Sequence, residues 1–227
     1  LGEGRLDLFQ KDLRSLLRII FWMALPTSVV IFFTRGYIVH FIRNTGDQLM
    51  AGILGCLVVA ILFRTIYHMA ARAFYARQDT KTPLYISVFS ISLNIALAII
   101  LTMNLNMGAY GLAWAQSTVA VFEVVILLLV MSKQMPRMFN RAFVKAIGKM
   151  IAASAVAGVV CYIGVSVMPF RDTDSSFFSA FPKFTIISIV SFGVYLLMSK
   201  LLRLPEVDPI LKKGKKLLFG RLDGVWR

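Results

Sequence analysis

Two cysteines, two histidines and eleven acidic residues are all that 227 positions offer of the groups that bind metals, form disulfides or do acid–base chemistry. Cys56 and Cys161 each stand alone in an apolar stretch, where a small polarizable side chain packs well, so they define no disulfide framework. With His40 and His68 scattered as well, a structural zinc site is not expected. No Walker-type phosphate loop, HExxH or nucleophile elbow occurs, and no two carboxylates are placed to act as acid and base. These absences leave no catalytic residue, metal or cofactor to assign. Charged residues make up only 16% of the chain, against the quarter or so usual in soluble domains.

Hydrocarbon fills the space. Hydrophobic residues account for 58% of the sequence, gathered into six stretches at roughly Leu17–Thr34, Gln48–Ala71, Leu84–Met103, Gly108–Met131, Ala146–Met168 and Phe177–Ser199. At about 1.5 Å per residue, each is near the length that crosses a hydrocarbon core of about 30 Å. Lipid satisfies no backbone hydrogen bond, so spans of this length must be helices. The expected fold is all-α and polytopic, with six transmembrane helices.

A net charge of +14 read without position would point to nucleic acid. Position removes that partner. Lys and Arg collect before the first span (Arg5, Lys11, Arg14, Arg18), between spans two and three (Arg72, Arg77, Lys81), between four and five (Lys133 to Lys149) and after span six (Lys200 to Arg227). The intervening loops hold only Arg35, Arg43, Arg171 and Lys183. The positive-inside rule then puts both ends in the cytoplasm, as an even number of spans also requires. No cleavable signal is visible, and with Leu at position 1 the chain is expected to be the C-terminal part of a longer protein.

Three segments follow: an amphipathic interfacial segment (1–16), a six-helix bundle (17–199) and a basic amphipathic cytoplasmic tail (200–227). In the first, Leu6, Phe9, Leu13 and Leu16, followed by Leu17 and Ile20 just past its end, recur at helical spacing. In the last, Pro205 and Pro209 break the helix before a run with Lys212, Lys213, Lys215 and Lys216, which suits anchoring on anionic membrane lipids. Pro26 should kink the first span, as a hinge or for packing alone. Tyr37 to Arg43 is too short to cross and is expected at the outer surface. The turn Asn104–Met107 forces spans three and four into a hairpin. Ala109, Ala113 and Ser117 in span four, and Ala153, Ser154, Ala157 and Gly158 in span five, are small residues suited to close helix packing.

Polar groups inside spans are costly and few, so function would show there. Arg64, His68, Arg72 and Tyr75 follow one another at intervals of four, four and three, a basic ladder down span two. Span three carries Ser87, Ser90 and Asn94 on one face, and span four carries Gln116 and Glu123. Arg64 and Glu123 lie at similar distances into two spans of the same direction, and should either pair or face one cavity. The alternative is that Arg64 snorkels to the interface and Glu123 is satisfied locally.

The junction Arg72-Ala-Phe-Tyr-Ala-Arg-Gln-Asp-Thr-Lys-Thr-Pro83 and the hairpin Gly108-Ala-Tyr-Gly-Leu-Ala-Trp-Ala115 closely resemble stretches of the lipid II flippases, the MurJ (MviN) family of the multidrug/oligosaccharidyl-lipid/polysaccharide exporter superfamily. Leu25-Pro26 after a basic amphipathic segment fits the same family. The resemblance implies that the six spans form the C-terminal lobe of a fourteen-helix flippase fold, with a missing N-terminal lobe of the same protein as partner. It implies a transporter in the bacterial cytoplasmic membrane that moves the undecaprenyl-pyrophosphate-linked peptidoglycan precursor by alternating access. Alternatives are a flippase for another polyprenyl-linked glycan, a drug exporter of the superfamily, or an inactive membrane scaffold. In the motif loop of Phe74, Tyr75, Arg77, Asp79, Thr82 and Pro83, Asp79 or Thr80 should cap span three, with Pro83 in its first turn. Arg64, His68 and Arg72 are this lobe's best contact for a phosphate, with Asn94, Gln116 and Glu123 as further cavity lining.

Overall fold

The computed structural model describes residues 3–43, 47–135, 139–169 and 177–207. Side chains of residues 3–7, 43 and 177–179 are outside that description, as are Arg137, Arg171 and the tail from 208 onward, including Pro209 and the four lysines at 212–216. Six helices occur in order: α1 (Glu3–Arg43), α2 (Gln48–Ala76), α3 (Lys81–Ile99, continued by a π-helical turn Ile100–Asn104), α4 (Ala109–Gln134), α5 (Arg141–Val167) and α6 (Phe177–Leu201). No strand occurs among the described residues. All six helices are long and apolar enough to cross a membrane. Much of their apolar surface points outward, as with Tyr85 and Phe89 of α3 and Ile189 of α6, which suits a lipid solvent.

α1 is the spine of the bundle. It packs against α2 on one side and against α5 and α6 on the other, while α4 packs on α2 and α3 on α4. Its 41 residues amount to about 60 Å of helix, roughly twice the hydrocarbon core. The expected interfacial segment is the first part of this single helix, because Leu13 and Leu17 bury against Ala70, Phe74, Met131 and Phe143 and leave no break at residue 16. The helix also passes through Pro26.

Tyr37 to Arg43 is likewise not a separate surface piece. It is the last part of α1, with Tyr37 and His40 buried, the Tyr37 hydroxyl donating to the Met168 carbonyl, and Phe41 edge-on to Phe184. Aromatic packing against α6 and the end of α5 carries the helix on where length alone would end it.

The small-residue faces of α4 and α5 close on different partners, and α4 and α5 do not pack along each other. On α4, Ser117 donates to the Cys56 carbonyl of α2 at 2.6 Å. On α5, Gly158 faces Val29 and Phe33 of α1. The α3–α4 hairpin is present as expected. Gly108 turns it at φ +54°, ψ −132°, a conformation that L side chains resist, and Gly111 lies so close to Leu101 that a Cβ would meet that carbonyl carbon at 2.8 Å.

After α6, residues 202–207 fold back onto the bundle. Leu204 and Val207 are buried with Trp22, Met150 and Tyr195, and Lys149 donates to the Leu202 carbonyl at 3.0 Å. Arg18 and Glu206 form an ion pair at 2.5 Å. Two hydrogen bonds hold α6 to α1 beneath it: Tyr195 hydroxyl to the Trp22 carbonyl at 2.7 Å, and Trp22 indole to the Ser199 hydroxyl at 3.2 Å.

Candidate functional site

α2 and α4 run side by side in the same direction, with matched contacts along their length. Gly52 lies under the Tyr110 ring, Ser117 reaches Cys56, and Arg77 reaches Gln134. The latter two pairs are offset by 61 and 57 positions. Arg64 and Glu123, 59 positions apart, therefore lie at the same level. α3 leans on α4 and touches α2 little, which leaves a wedge between α2 and α3 with α4 as its floor.

That wedge is a cleft of about 340 Å³. α2 supplies Arg64, Tyr67 and His68; α3 supplies Ser87, Ser90 and Asn94 with Ile91 and Ile95; α4 supplies Gln116 and Glu123 with Val119 between them. Within each set the polar residues fall three, four or seven positions from one another, save the neighbours Tyr67 and His68, which is the spacing of a single helical face. Arg64 and His68 are exposed at the mouth, while Glu123 is 8% exposed at the back. No ion pair within 4.0 Å joins Arg64 to Glu123; they share the cavity across open space. Two hydrogen bonds tie α3 across the wedge: Asn94 to Gln116 at 2.7 Å, and Tyr67 with Ser87 at 2.6 Å.

Of the residues singled out in sequence, Arg64, His68, Asn94, Gln116 and Glu123 line this cleft and Arg72 does not. Arg72 is exposed, its guanidinium 4.0 Å from the Met69 sulfur. The ladder turns away because a four-residue step overshoots a full helical turn by about 40°, so two steps rotate Arg72 about 80° from Arg64. Tyr67 was missed, although its three-residue distance from Arg64 was a signal for the same face.

The motif loop fastens the basic end of the cleft. Phe74 is fully buried in the core while Tyr75 is exposed. Arg77 donates to Gln134 at 2.9 Å, and Gln134 in turn donates to Asp79 at 3.4 Å. Asp79, not Thr80, starts α3: its carboxylate accepts from the Thr82 amide at 3.1 Å and the Thr82 hydroxyl at 2.7 Å, whereas Thr80 makes no side-chain cap. Pro83 sits buried in the first turn. The Thr82 hydrogen bonds, with help from Gln134 and Arg77, hold the Asp79 carboxyl below its usual range. Gln134 was not read from sequence, since nothing in the chain marks a glutamine at a helix end as the receptor of a loop 55 residues away.

Among the described residues no group of three His, Cys, Asp or Glu side chains is placed to hold a metal ion. The arrangement offers hydrogen bonds and charge to a polar solute inside the membrane, with an apolar wall beside them.

Six helices long and apolar enough to span, with a charged cleft set among three of them, define a multi-pass α-helical membrane protein. The chain belongs to the family described as lipid II flippase MurJ, whose family model matches residues 2–199. It is similar to a probable lipid II flippase MurJ of Thermotoga maritima, 27% identical over 220 residues, covering 94% of this chain and 42% of that protein. A second, of Rhizobium tropici, is 20% identical over 204 residues and covers 87% of this chain and 38% of the relative. Among solved structures, a lipid II flippase MurJ in an inward closed conformation matches with a TM-score of 0.69 at 24% identity, over 86% of this chain and 39% of that one. The chain thus spans about two-fifths of the length of these relatives, and the fold is theirs.

Proposed function

We propose that this chain is the C-terminal lobe of a flippase that moves the undecaprenyl-pyrophosphate-linked peptidoglycan precursor, lipid II, across the bacterial cytoplasmic membrane. The lobe supplies one wall of a central cavity and works with an N-terminal lobe of the same protein by alternating access. Both ends of the chain lie in the cytoplasm, where the basic ends of the helices meet anionic lipids.

The cleft carries this reading. An arginine costs roughly 2.5–3.5 kcal/mol in a span even on the most lenient scales, and here it stands at the mouth of a polar cavity beside His68. A guanidinium grips phosphate oxygens with paired hydrogen bonds. Glu123 at the back keeps the site from being purely cationic, which suits a solute that must be released as well as held. Nothing covalent is required of any residue.

The test is made in the full-length protein, in cells depleted of their own flippase. Arg64→Gln should lower precursor flipping at least tenfold at unchanged membrane abundance, and Arg64→Lys should restore part of it. Full rescue of growth by Arg64→Gln would overturn the assignment of Arg64 to the head group. Purified protein that binds O-antigen carriers as well as lipid II would overturn the substrate. Reporter fusions that placed residues 133–149 outside the cell would overturn the orientation.

A further inference from the structure

α3 is packed along one half and loosely held along the other. In the half nearer the motif loop Pro83, Ile86 and Ser90 are buried, Ile86 in the core with Phe74, Leu127 and Met131, and the Tyr67 and Ser87 hydroxyls bond across the wedge. From Ile91 to Asn104 no residue is buried. That stretch is one wall of the cleft, through Ile91, Asn94 and Ile95. Among the described residues a single side-chain hydrogen bond holds it to another helix, Asn94 to Gln116 of α4 at 2.7 Å.

The stretch ends in a joint. In the π-helical turn Ile100–Asn104 the Leu105 amide bonds the Ile100 carbonyl at 3.1 Å, five residues back, so the turn holds more residues than those of the helix before it. Its far side is fixed to α4 by the close approach of Leu101 to Gly111. Thr102 Oγ1 is buried there without a hydrogen-bond partner, whereas Thr27, Thr34, Thr65 and Thr185 in other helices each donate to the carbonyl four residues back. An α-helical turn in its place would offer Thr102 the Ala98 carbonyl, which offsets part of what is lost when the π turn rearranges.

We propose that residues 91–99 are a hinged shutter on the cleft: the packed half of α3 stays in place, the π turn gives, and the Asn94–Gln116 bond is the latch. Both amides carry donors and an acceptor, so a polar solute in the cleft takes over their bonding as the latch parts. The inference rests on the reading of the cleft as a solute site only for what parts the latch; the motion itself belongs to the fold.

Nitroxides are placed in pairs in the full-length protein in lipid nanodiscs, through a noncanonical amino acid that leaves Cys56 and Cys161 untouched, and distances are read by pulsed electron paramagnetic resonance with no precursor added. One pair joins the exposed Ser92 of the shutter to the exposed Val159 of α5, a helix that does not pack on α3; the other joins Leu84, exposed in the packed half, to the exposed Val144 of α5. The first pair should show a shorter, closed population and a longer, open one, and the second pair a single distance. Losing one hydrogen bond between membrane helices shifts an equilibrium about threefold. Asn94→Leu and Gln116→Leu should therefore each raise the ratio of open to closed about threefold, and the double variant no further. Tyr67→Phe, which removes a bond of the same kind from the packed half, should leave that ratio unchanged. One distance for the Ser92–Val159 pair in the parent and in every variant would overturn the shutter, as would equal movement of the Leu84–Val144 pair. A shift by Tyr67→Phe as large as that by Asn94→Leu would overturn the latch. With no precursor present, the outcome is read apart from precursor flipping.

Discussion

Arg64 and Glu123 face one cleft from two parallel helices at the same level without closing into an ion pair. Matched contacts along α2 and α4, at Gly52 with Tyr110 and at Arg77 with Gln134, set that level. The two charges share the cleft without contact, and Arg64 keeps an exposed position at its mouth.

Because they face one cavity without touching, Arg64→Gln and Glu123→Gln should depart modestly from additivity in stability. The double variant is expected to differ by about 0.5 kcal/mol or more from the sum of the singles, measured by unfolding in mixed micelles, and strict additivity would mean that the two charges do not sense each other. Under the proposed function the two should separate: Arg64→Gln should weaken precursor binding roughly tenfold or more, the loss of a charge-assisted hydrogen bond, while Glu123→Gln should tighten it by removing the opposing charge.

Asn94 and Gln116 bond directly at 2.7 Å, and here coupling is expected. Hydrogen bonds between membrane helices average about 0.6 kcal/mol in double-mutant cycles. Asn94→Leu and Gln116→Leu should show a coupling of that size, and a cycle that closes at zero would mean that α3 is held to α4 by packing alone.

Gly111 packs where a methyl group would strike the backbone of Leu101. Gly111→Ala should cost about 1–3 kcal/mol by forcing the hairpin apart, seen as a lower thermal midpoint. Gly148→Ala, at a helical position with open space around the added carbon, is the control and should be neutral or slightly stabilising. Equal midpoints for the two variants would argue against close approach at Gly111.

Asp79 gives the start of α3 a pH dependence. Its folded-state carboxyl titrates below the usual value, so its contribution is present above the ordinary carboxylate pKa and is lost as pH falls through the depressed one. Hydrogen exchange of the first turn of α3 should rise in Asp79→Asn at neutral pH. The difference from the parent should shrink as pH drops below about 4. A difference that held constant to low pH would show that the cap does not depend on the carboxylate.

The helices themselves were legible in sequence because their cause is local. Apolar length fixes a span, and a four-residue turn at Asn104–Met107 leaves no geometry but a hairpin. The common depth of Arg64 and Glu123 was legible for the same reason, since counting residues along two helices of the same direction is counting ångströms. The ends of elements were not. Residues 37–43 stay helical because Tyr37 and Phe41 find partners on α5 and α6, and α1 runs through residue 16 because Leu13 and Leu17 find partners on α2, α4 and α5. Neither partner lies within reach along the chain.

Composition and periodicity by themselves determined six helices, their basic ends and which polar residues share a face, because each is a property of one helix in lipid. Which faces meet was decided only in three dimensions. Small residues on α4 and α5 permit close packing with any neighbour, and it is the tertiary arrangement that seats α4 on α2 and α5 on α1. That choice opens the wedge beneath α3 and folds the segment after α6 back to meet Arg18. A helix repeats every 3.6 residues whatever surrounds it, but a cavity exists only where three of them fail to close.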